Sequence, residues 1–362
     1  MEVKTYAIIN PFKINIDPME RLLLLNFEKD PDALYIGFEP QVFEDNIHGK
    51  GHIVIGWRAD GRVDVYYQRS LKLDPRTYDI AGKGLADMVE TEFTAASYEV
   101  NDFGVQAYYE FNTIDNRPVL IRISEQNPRK RKPFGLLAPM GDAAENPSAM
   151  PLVLLNDFYF IRKNNTEAKI SIDGKLHKLD ELPVPMDGTR MFYARYSTEP
   201  LIATINPACD DELKPFEIEH QQRVASLEDQ DIELEWLEDK PYIRRITQKN
   251  GVHPVTVSFK GAFPDIRFLK NNTVFSGEFE IKGHPSTGKI GGNYKVEKND
   301  AIKIRIIPAK GWEPIPTKLS LRLMYSVAKI FKKWPTTYEW TAHIQESGNG
   351  VYHMRSRWDR KR

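Results

Sequence analysis

Short alternating segments closed by tight-turn pairs recur along nearly the whole chain, and this period leaves little but β-structure open to it. In "HIVIGWRADGRVDVYYQRS" two runs of alternating apolar and polar residues flank Asp60-Gly61. A side-chain period of two places one set of residues on each face of a pleated strand. Asp-Gly accepts the positive φ of a two-residue hairpin turn. "GVQAYYEFNTIDNRPVLIRIS" repeats the plan: Val105, Ala107, Tyr109 and Phe111 share one face, and Gln106, Tyr108 and Glu110 share the other. "AKISIDGKLHKL" reads as a further hairpin around Asp173-Gly174.

The pattern pauses at "NPACDDELKPF", where two prolines and a shift to acidic composition mark a linker. It then restarts more cleanly. Phe275, Phe279 and Ile281 oppose Glu278, Glu280 and Lys282, and Ile302, Ile304 and Ile306 oppose Lys303 and Arg305. Such strands have one buried and one wet face. Short runs at intervals of roughly 8–12 residues predict a meandering barrel or sandwich. The chain of 362 residues is long enough for two domains. The expected fold is therefore all-β, with two consecutive antiparallel barrels or sandwiches over 1–209 and 210–362.

One stretch departs from the period of two. In "KLSLRLMYSVAKIFKKW", Leu319, Leu323, Val327, Ile330 and Trp334 fall on one helical stripe, with Met324 and Phe331 beside it. Lys318, Arg322, Lys329, Lys332 and Lys333 fall on the opposite side. The pattern predicts a helix over 318–334 whose apolar stripe packs on the C-terminal barrel. Two alternatives stay open: the helix lies on a membrane or a partner, or its first half is a strand, since Leu319, Leu321 and Leu323 also alternate.

Two consecutive barrel-like halves, a helix before the closing run "TYEWTAHI", and many Tyr and Trp residues resemble the double lipocalin-like proteins. Hydroxyneurosporene synthase-like (carotenoid hydratase-like) and tocopherol-cyclase-like proteins belong to that group. The resemblance implies lipocalin-like barrels with a cavity for an elongated apolar molecule. It transfers no catalytic residue. The ligand-binding candidates are Tyr193, Arg195, Tyr109, Tyr159 and Trp57. Arg195 shares a strand face with Tyr193 and Ser197, so a buried Arg195 needs an anionic or carbonyl partner.

Charge and composition narrow the function classes. The net charge of −1 hides a segregation. From Asp210 to Asp239 there are 12 acids against two bases, and from Lys240 to the C-terminus 24 bases against nine acids. Either the acidic segment lies against the basic one, or the basic half meets an anionic partner. No apolar run approaches the ~20 residues of a membrane span, and "MEVKTYAIINPFK" carries no secretory pattern. The single cysteine, Cys209, excludes an internal disulfide and fits a cytoplasmic location. The N-x-T triplets at Asn164 and Asn271 then read as loop composition.

Motifs for named chemistries are sparse. "GHPSTGKI" nearly matches a phosphate loop, but Ile290 stands where a hydroxyl should be, and turn and strand follow instead of a helix. It reads as a hairpin connection. His48 and His52 in "HGKGH" would stand about 13 Å apart in an extended segment, too far for one zinc ion, so no metal site is expected. The basic runs "PRKRKPF" and "RSRWDRKR" read as a solvated loop and a frayed tail, without a nucleic-acid motif.

The segment "FGLLAPMGDAAENPSAMPLVLLNDFYF" is the most informative irregular one. Phe134, Leu136, Leu137, Met140 and Met150 are apolar in an expected loop, as in a lid over a core or ligand mouth. Asp142 and Glu145 within it are the catalytic candidates, because an acid on an apolar lid acquires a raised pKa suited to proton donation. The leading expectation is binding of an apolar or amphiphilic small molecule, without a cofactor. The alternatives are a hydratase, cyclase or isomerase acting on an isoprenoid-like substrate, and an interaction module with a basic surface.

Overall fold

The computed structural model describes residues 5–128, 132–139, 147–183, 185–186, 188–249, 253–316, 318–327, 334–348 and 350–361. The architecture is all-β, with several antiparallel sheets. Asp173-Gly174 acts as read, with φ 52° and 76° and Ile172 paired to Lys175 across the turn, whereas Asp60-Gly61 lies in a longer connection between Arg58 and Arg62 in which Gly61, and not Asp60, has a positive φ of 89°. The chain forms two compact units, each built from discontinuous segments. One comprises 17–136 and 155–202; the other comprises 1–16, 137–154 and 203–362.

The first unit is a sandwich. Its smaller sheet runs Lys175–His177, Thr166–Ile172, Pro118–Glu125, Gly104–Asn112 and Ala95–Asn101. The larger contains Arg21–Asn26, Tyr35–Asp45, Gly49–Arg58, Val63–Tyr67 and Leu85–Glu90. Leu23, Leu25, Phe38, Val54 and Tyr66 from the larger sheet pack with Ala107, Tyr109, Phe111, Ile121 and Ile170 from the smaller. The Tyr66 and Phe111 rings are 5.0 Å apart. Polar links join the sheets as well: the Tyr98 hydroxyl donates to the Leu22 carbonyl at 2.9 Å, and Arg21 donates to the Tyr98 carbonyl at 3.1 Å. Gly56 carries no side chain because the Tyr35 ring occupies that space; an added Cβ would meet Tyr35 at 2.6 Å.

The second unit is built on a ten-stranded antiparallel sheet. The meander from Val224–Ser226 to Tyr352–Arg360 is continued at its edge by Cys209–Leu213. Phe12, from the N-terminal segment, lies 5.0 Å from Phe259, 4.8 Å from Phe263 and 6.0 Å from Trp340. The strands carrying Phe259 and Trp340 are separated by three others, which would span about 19 Å in a flat sheet. Contact of both rings with Phe12 therefore requires the sheet to roll around it. Register shifts at Ile243/Arg245 and Gly291/Asn293 supply the bends.

Several expectations need correction. Neither sheet closes into a barrel; the second is rolled but open, and Phe12 packs against Phe259, Phe263 and Trp340 on its concave side. The expected linker "NPACDDELKPF" contains the strand Cys209–Leu213, paired residue for residue with Tyr352–Ser356. The expected frayed tail "RSRWDRKR" is largely a strand, with Trp358 buried and its indole N–H shared between the Ile205 and Asn206 carbonyls at 3.1 and 3.0 Å. Phe134–Pro139 is a strand rather than a lid, and Phe134 packs 4.9 Å from Phe158. "GHPSTGKI" is a hairpin connection between Thr273–Lys282 and Lys289–Lys298, as read.

The charge segregation resolves within the second unit. Acidic and basic strands are neighbours, so Glu233 meets Arg245 at 2.9 Å, Glu235 meets Arg244 at 2.8 Å, and Asp231 meets Lys249 at 2.8 Å. At the other edge Asp210 meets Arg355 at 3.0 Å, and Asp211 meets Lys13 at 2.7 Å. The first of the two charge readings accounts for these pairs.

Candidate functional site

The helix Leu319–Val327 docks through residues other than those expected. Leu321 is 1% exposed and Tyr325 8%, with the Tyr325 ring edge-on to Trp312 at 5.3 Å. Trp312 is itself fixed by donating its indole N–H to the Thr287 carbonyl at 2.9 Å. At about 100° per residue, Leu321 and Tyr325 lie on the side of the helix away from Leu319, Leu323 and Val327. Those three are 82%, 55% and 70% exposed. Of the stripe expected to be core, Leu319, Leu323 and Val327 are thus an open apolar surface, Trp334 is buried, and Ile330 and Phe331, with Lys329, Lys332 and Lys333, lie outside the described residues.

A second candidate lies in the first unit, on the larger sheet. Phe38 and Val42 face the sandwich core, so Glu39 and Gln41 face the other way. Both are buried. Glu39 accepts from the Gln41 amide at 2.8 Å and from the Trp57 indole N–H at 2.9 Å. Burial raises the Glu39 carboxyl from an ordinary 4.5 to about 7, against the lowering effects of these two donors and of the Arg195 charge. The Gln41 carbonyl oxygen is buried without a hydrogen-bond partner. Burial also raises the Tyr78 phenol, helped by the charges of Asp17 and Glu39. The arrangement is a buried carboxyl held by two donors, its pKa raised by burial.

The sequence candidates are distributed between two environments. Trp57 and Arg195 lie beside Glu39. Arg195 is half-buried, donates to Asn26 Oδ1 at 2.6 Å, and stacks over the Tyr193 ring at 4.4 Å. Tyr109 and Tyr159 belong to the sandwich interior: Tyr109 is buried and pairs with His52 at 3.0 Å, and Tyr159 stacks on Tyr196 at 5.1 Å. Asp142 and Glu145 lie outside the described residues. Sequence reasoning passed over Glu39, whose alternating position reads as a wet strand face. Gln41 stands two residues along the same strand, but the approach of Trp57 from the neighbouring strand could have been noticed only with the register in hand.

The two histidines of "HGKGH" have separate structural partners. His48 is held between Asp17 at 2.8 Å and Asp45 at 2.9 Å. Burial lowers its pKa, and the two carboxylates outweigh that effect and raise it. His52 is lowered, by burial first and then by the Arg21 charge. A cavity between Met150, Pro151, Trp334 and Trp358 holds about 10 Å³, room for about one water and not for an isoprenoid. Among the described residues no group of three or more His, Cys, Asp or Glu side chains could hold a metal ion, and no helix is long and apolar enough to cross a membrane. No protein-family model, no curated protein and no solved structure matches this chain.

Proposed function

We propose that this is a binding protein for an apolar or amphiphilic partner, and that it makes contact on its surface rather than inside a barrel. The observation that carries this reading is the exposure of Leu319, Leu323 and Val327 on one side of a helix whose other side is anchored by Leu321 and Tyr325. Folding normally buries such a stripe, and a contiguous exposed one marks an interaction site. The amphiphilic ligand implied by the lipocalin-like resemblance is retained; its place is changed. The test is co-elution of the full chain with dodecyl maltoside micelles. Wild type is expected to shift with the micelles, and Leu319→Ser/Leu323→Ser/Val327→Ser is expected to stay behind with an unchanged melting temperature. Equal micelle binding by this variant would place the contact elsewhere and overturn the reading.

A second reading, acid–base turnover of an apolar substrate, is favoured by Glu39, whose carboxyl exchanges protons near neutrality beside Trp57 and Arg195. Its test is native mass spectrometry of freshly purified protein. A co-purified small molecule retained by wild type and lost from Glu39→Gln would support it. Identical spectra for the two proteins would leave the surface reading alone.

A further inference from the structure

We infer that Arg195 is a pH-dependent latch on the outer face of the larger sheet, held by Asn26 while Glu39 is neutral and drawn to Glu39 when that carboxyl ionises. The inference shares Glu39 with the acid–base reading but does not rest on it, since the latch needs no substrate. Strand register sets out the parts. Leu22 stands opposite Gln41, and Arg195 stands opposite Leu24. A period of two then puts Arg195, Leu24, Glu39 and Gln41 on one face. Arg195 and Glu39 lie on strands either side of Arg21–Asn26, about 10 Å apart between backbones and within the combined reach of an arginine and a glutamate side chain. The Arg195 charge already acts on Glu39, yet its hydrogen bonds run the other way, to Asn26 Oδ1 at 2.6 Å and to the Tyr193 carbonyl at 3.4 Å.

Burial supplies the drive. Glu39 is 3% exposed, and its oxygens accept from neutral donors, the Gln41 amide and the Trp57 indole. A buried carboxylate held by neutral donors alone is costly and draws in a cation. The charged and titratable groups around it are Arg195, the Tyr78 phenol and, beyond Tyr78, Asp17 with its partner His48 at 2.8 Å. Of these, Arg195 is the cation that acts on Glu39 directly. Asn26 ties the other end of the latch to the chain around it. Its amide donates to Glu28 Oε1 at 3.1 Å, and its carbonyl accepts from the Asp180 N–H at 2.8 Å. The Asp180 carboxylate in turn accepts from the Glu28 and Lys29 N–H groups at 3.0 and 3.1 Å. Departure of Arg195 therefore removes a charged hydrogen bond from the root of the turn that follows Asn26.

The experiment is an NMR pH titration of the full chain between about pH 5 and about pH 9. It is read at the Trp57 indole N–H, which donates to Glu39 Oε2; Trp57→Phe assigns the signal. Wild type is expected to give a midpoint of about 7. Arg195→Gln is expected to raise it by about one unit, because the ionised carboxyl loses its cation. Asn26→Ala is expected to lower it by about half a unit, because Asn26 no longer competes with Glu39 for Arg195, and to have no effect in the Arg195→Gln background. Arg195→Met and Asn26→Leu serve where the first variants fail to fold, and a His48→Gln series removes the imidazole beside Asp17 as a source of the signal. A Trp57 signal that does not titrate, or a midpoint unmoved by Arg195→Gln, would overturn the latch. So would an unchanged midpoint in Asn26→Ala, which would make Arg195 a fixed charge. None of these outcomes bears on turnover, which the co-purified molecule tests.

Discussion

The ring of Phe12 lies 4.8 Å from that of Phe263, edge to face, so the N-terminal segment supplies part of the core of a sheet built from strands between Cys209 and Arg360. Strand Thr5–Ile8 pairs with Phe216–Glu219 in the same unit, and Lys13 exchanges hydrogen bonds with Asn206 at 2.8 and 3.1 Å. Phe12→Ala removes three aromatic contacts at once and is expected to cost about 3–5 kcal/mol in urea unfolding. A fragment beginning at Asp210 lacks Phe12 and Thr5–Ile8 and is expected to give no cooperative transition by circular dichroism. A cooperative melt from that fragment would show Phe12 to be dispensable.

The two sides of the surface helix give opposite expectations. Leu321→Ala leaves a cavity beneath a buried leucine and is expected to cost about 2–5 kcal/mol. Leu323→Ala alters an exposed position and is expected to stay within about 0.5 kcal/mol of wild type. Guanidinium melts of the two variants check the pair; a larger loss at Leu323 than at Leu321 would reverse the docking face.

Glu39 links stability to pH. Its folded pKa of about 7 lies above the ordinary 4.5, so the folded state holds a proton that the unfolded state releases first. Stability contributed by this site is present below pH 4.5 and is lost as pH rises through 7, by about 3 kcal/mol in all. Glu39→Gln keeps an acceptor for Trp57 and has no charge to bury. It is expected to unfold at a higher temperature than wild type above pH 7, with the difference closing at acid pH. A difference that does not change with pH would mean that Glu39 does not titrate in this range.

His48 adds a loss on the alkaline side. The Asp17 and Asp45 carboxylates raise its folded pKa above the ordinary 6.5, so its ion pairs stabilise the fold fully below 6.5 and release that stability as pH rises through the folded value. His48→Gln is expected to cost more near pH 6 than near pH 9 when its melting temperature is compared with wild type. An equal cost at both pH values would mark a contact of shape rather than charge.

The cross-strand ion pairs of the ten-stranded sheet are partly exposed, and each should contribute little. A double-mutant cycle on Glu233 and Arg245 is expected to return a coupling of about 0.2–1 kcal/mol that shrinks in molar salt. A coupling unchanged by salt would point to packing between the aliphatic stems.

Much of the fold was legible because local rules and global structure agree. Val105, Ala107, Tyr109 and Phe111 alternate and are buried, as are Ile302, Ile304 and Ile306; a period of two admits one strand face for each set. Asp173-Gly174 turns where its positive φ values allow. The helix face was not legible, because the segment has apolar residues on two sides: Leu319, Leu323 and Val327 on one, Leu321 and Tyr325 on the other. Periodicity reports that a stripe exists, and only the presence of Trp312 beneath Tyr325 selects which stripe is covered. Glu39 was hidden for a related reason. Alternation assigns it to the face away from Phe38, and whether that face meets water depends on chain segments distant in sequence. The roll of the second sheet was likewise decided in three dimensions, since neither Phe12 nor the strand Cys209–Leu213 carries a local signal of the strands it meets. Sequence by itself determined strands, turns and the inward set on most of them. Tertiary structure decided which second faces are buried, and with that which carboxyl has its pKa raised towards neutrality and which leucines remain exposed.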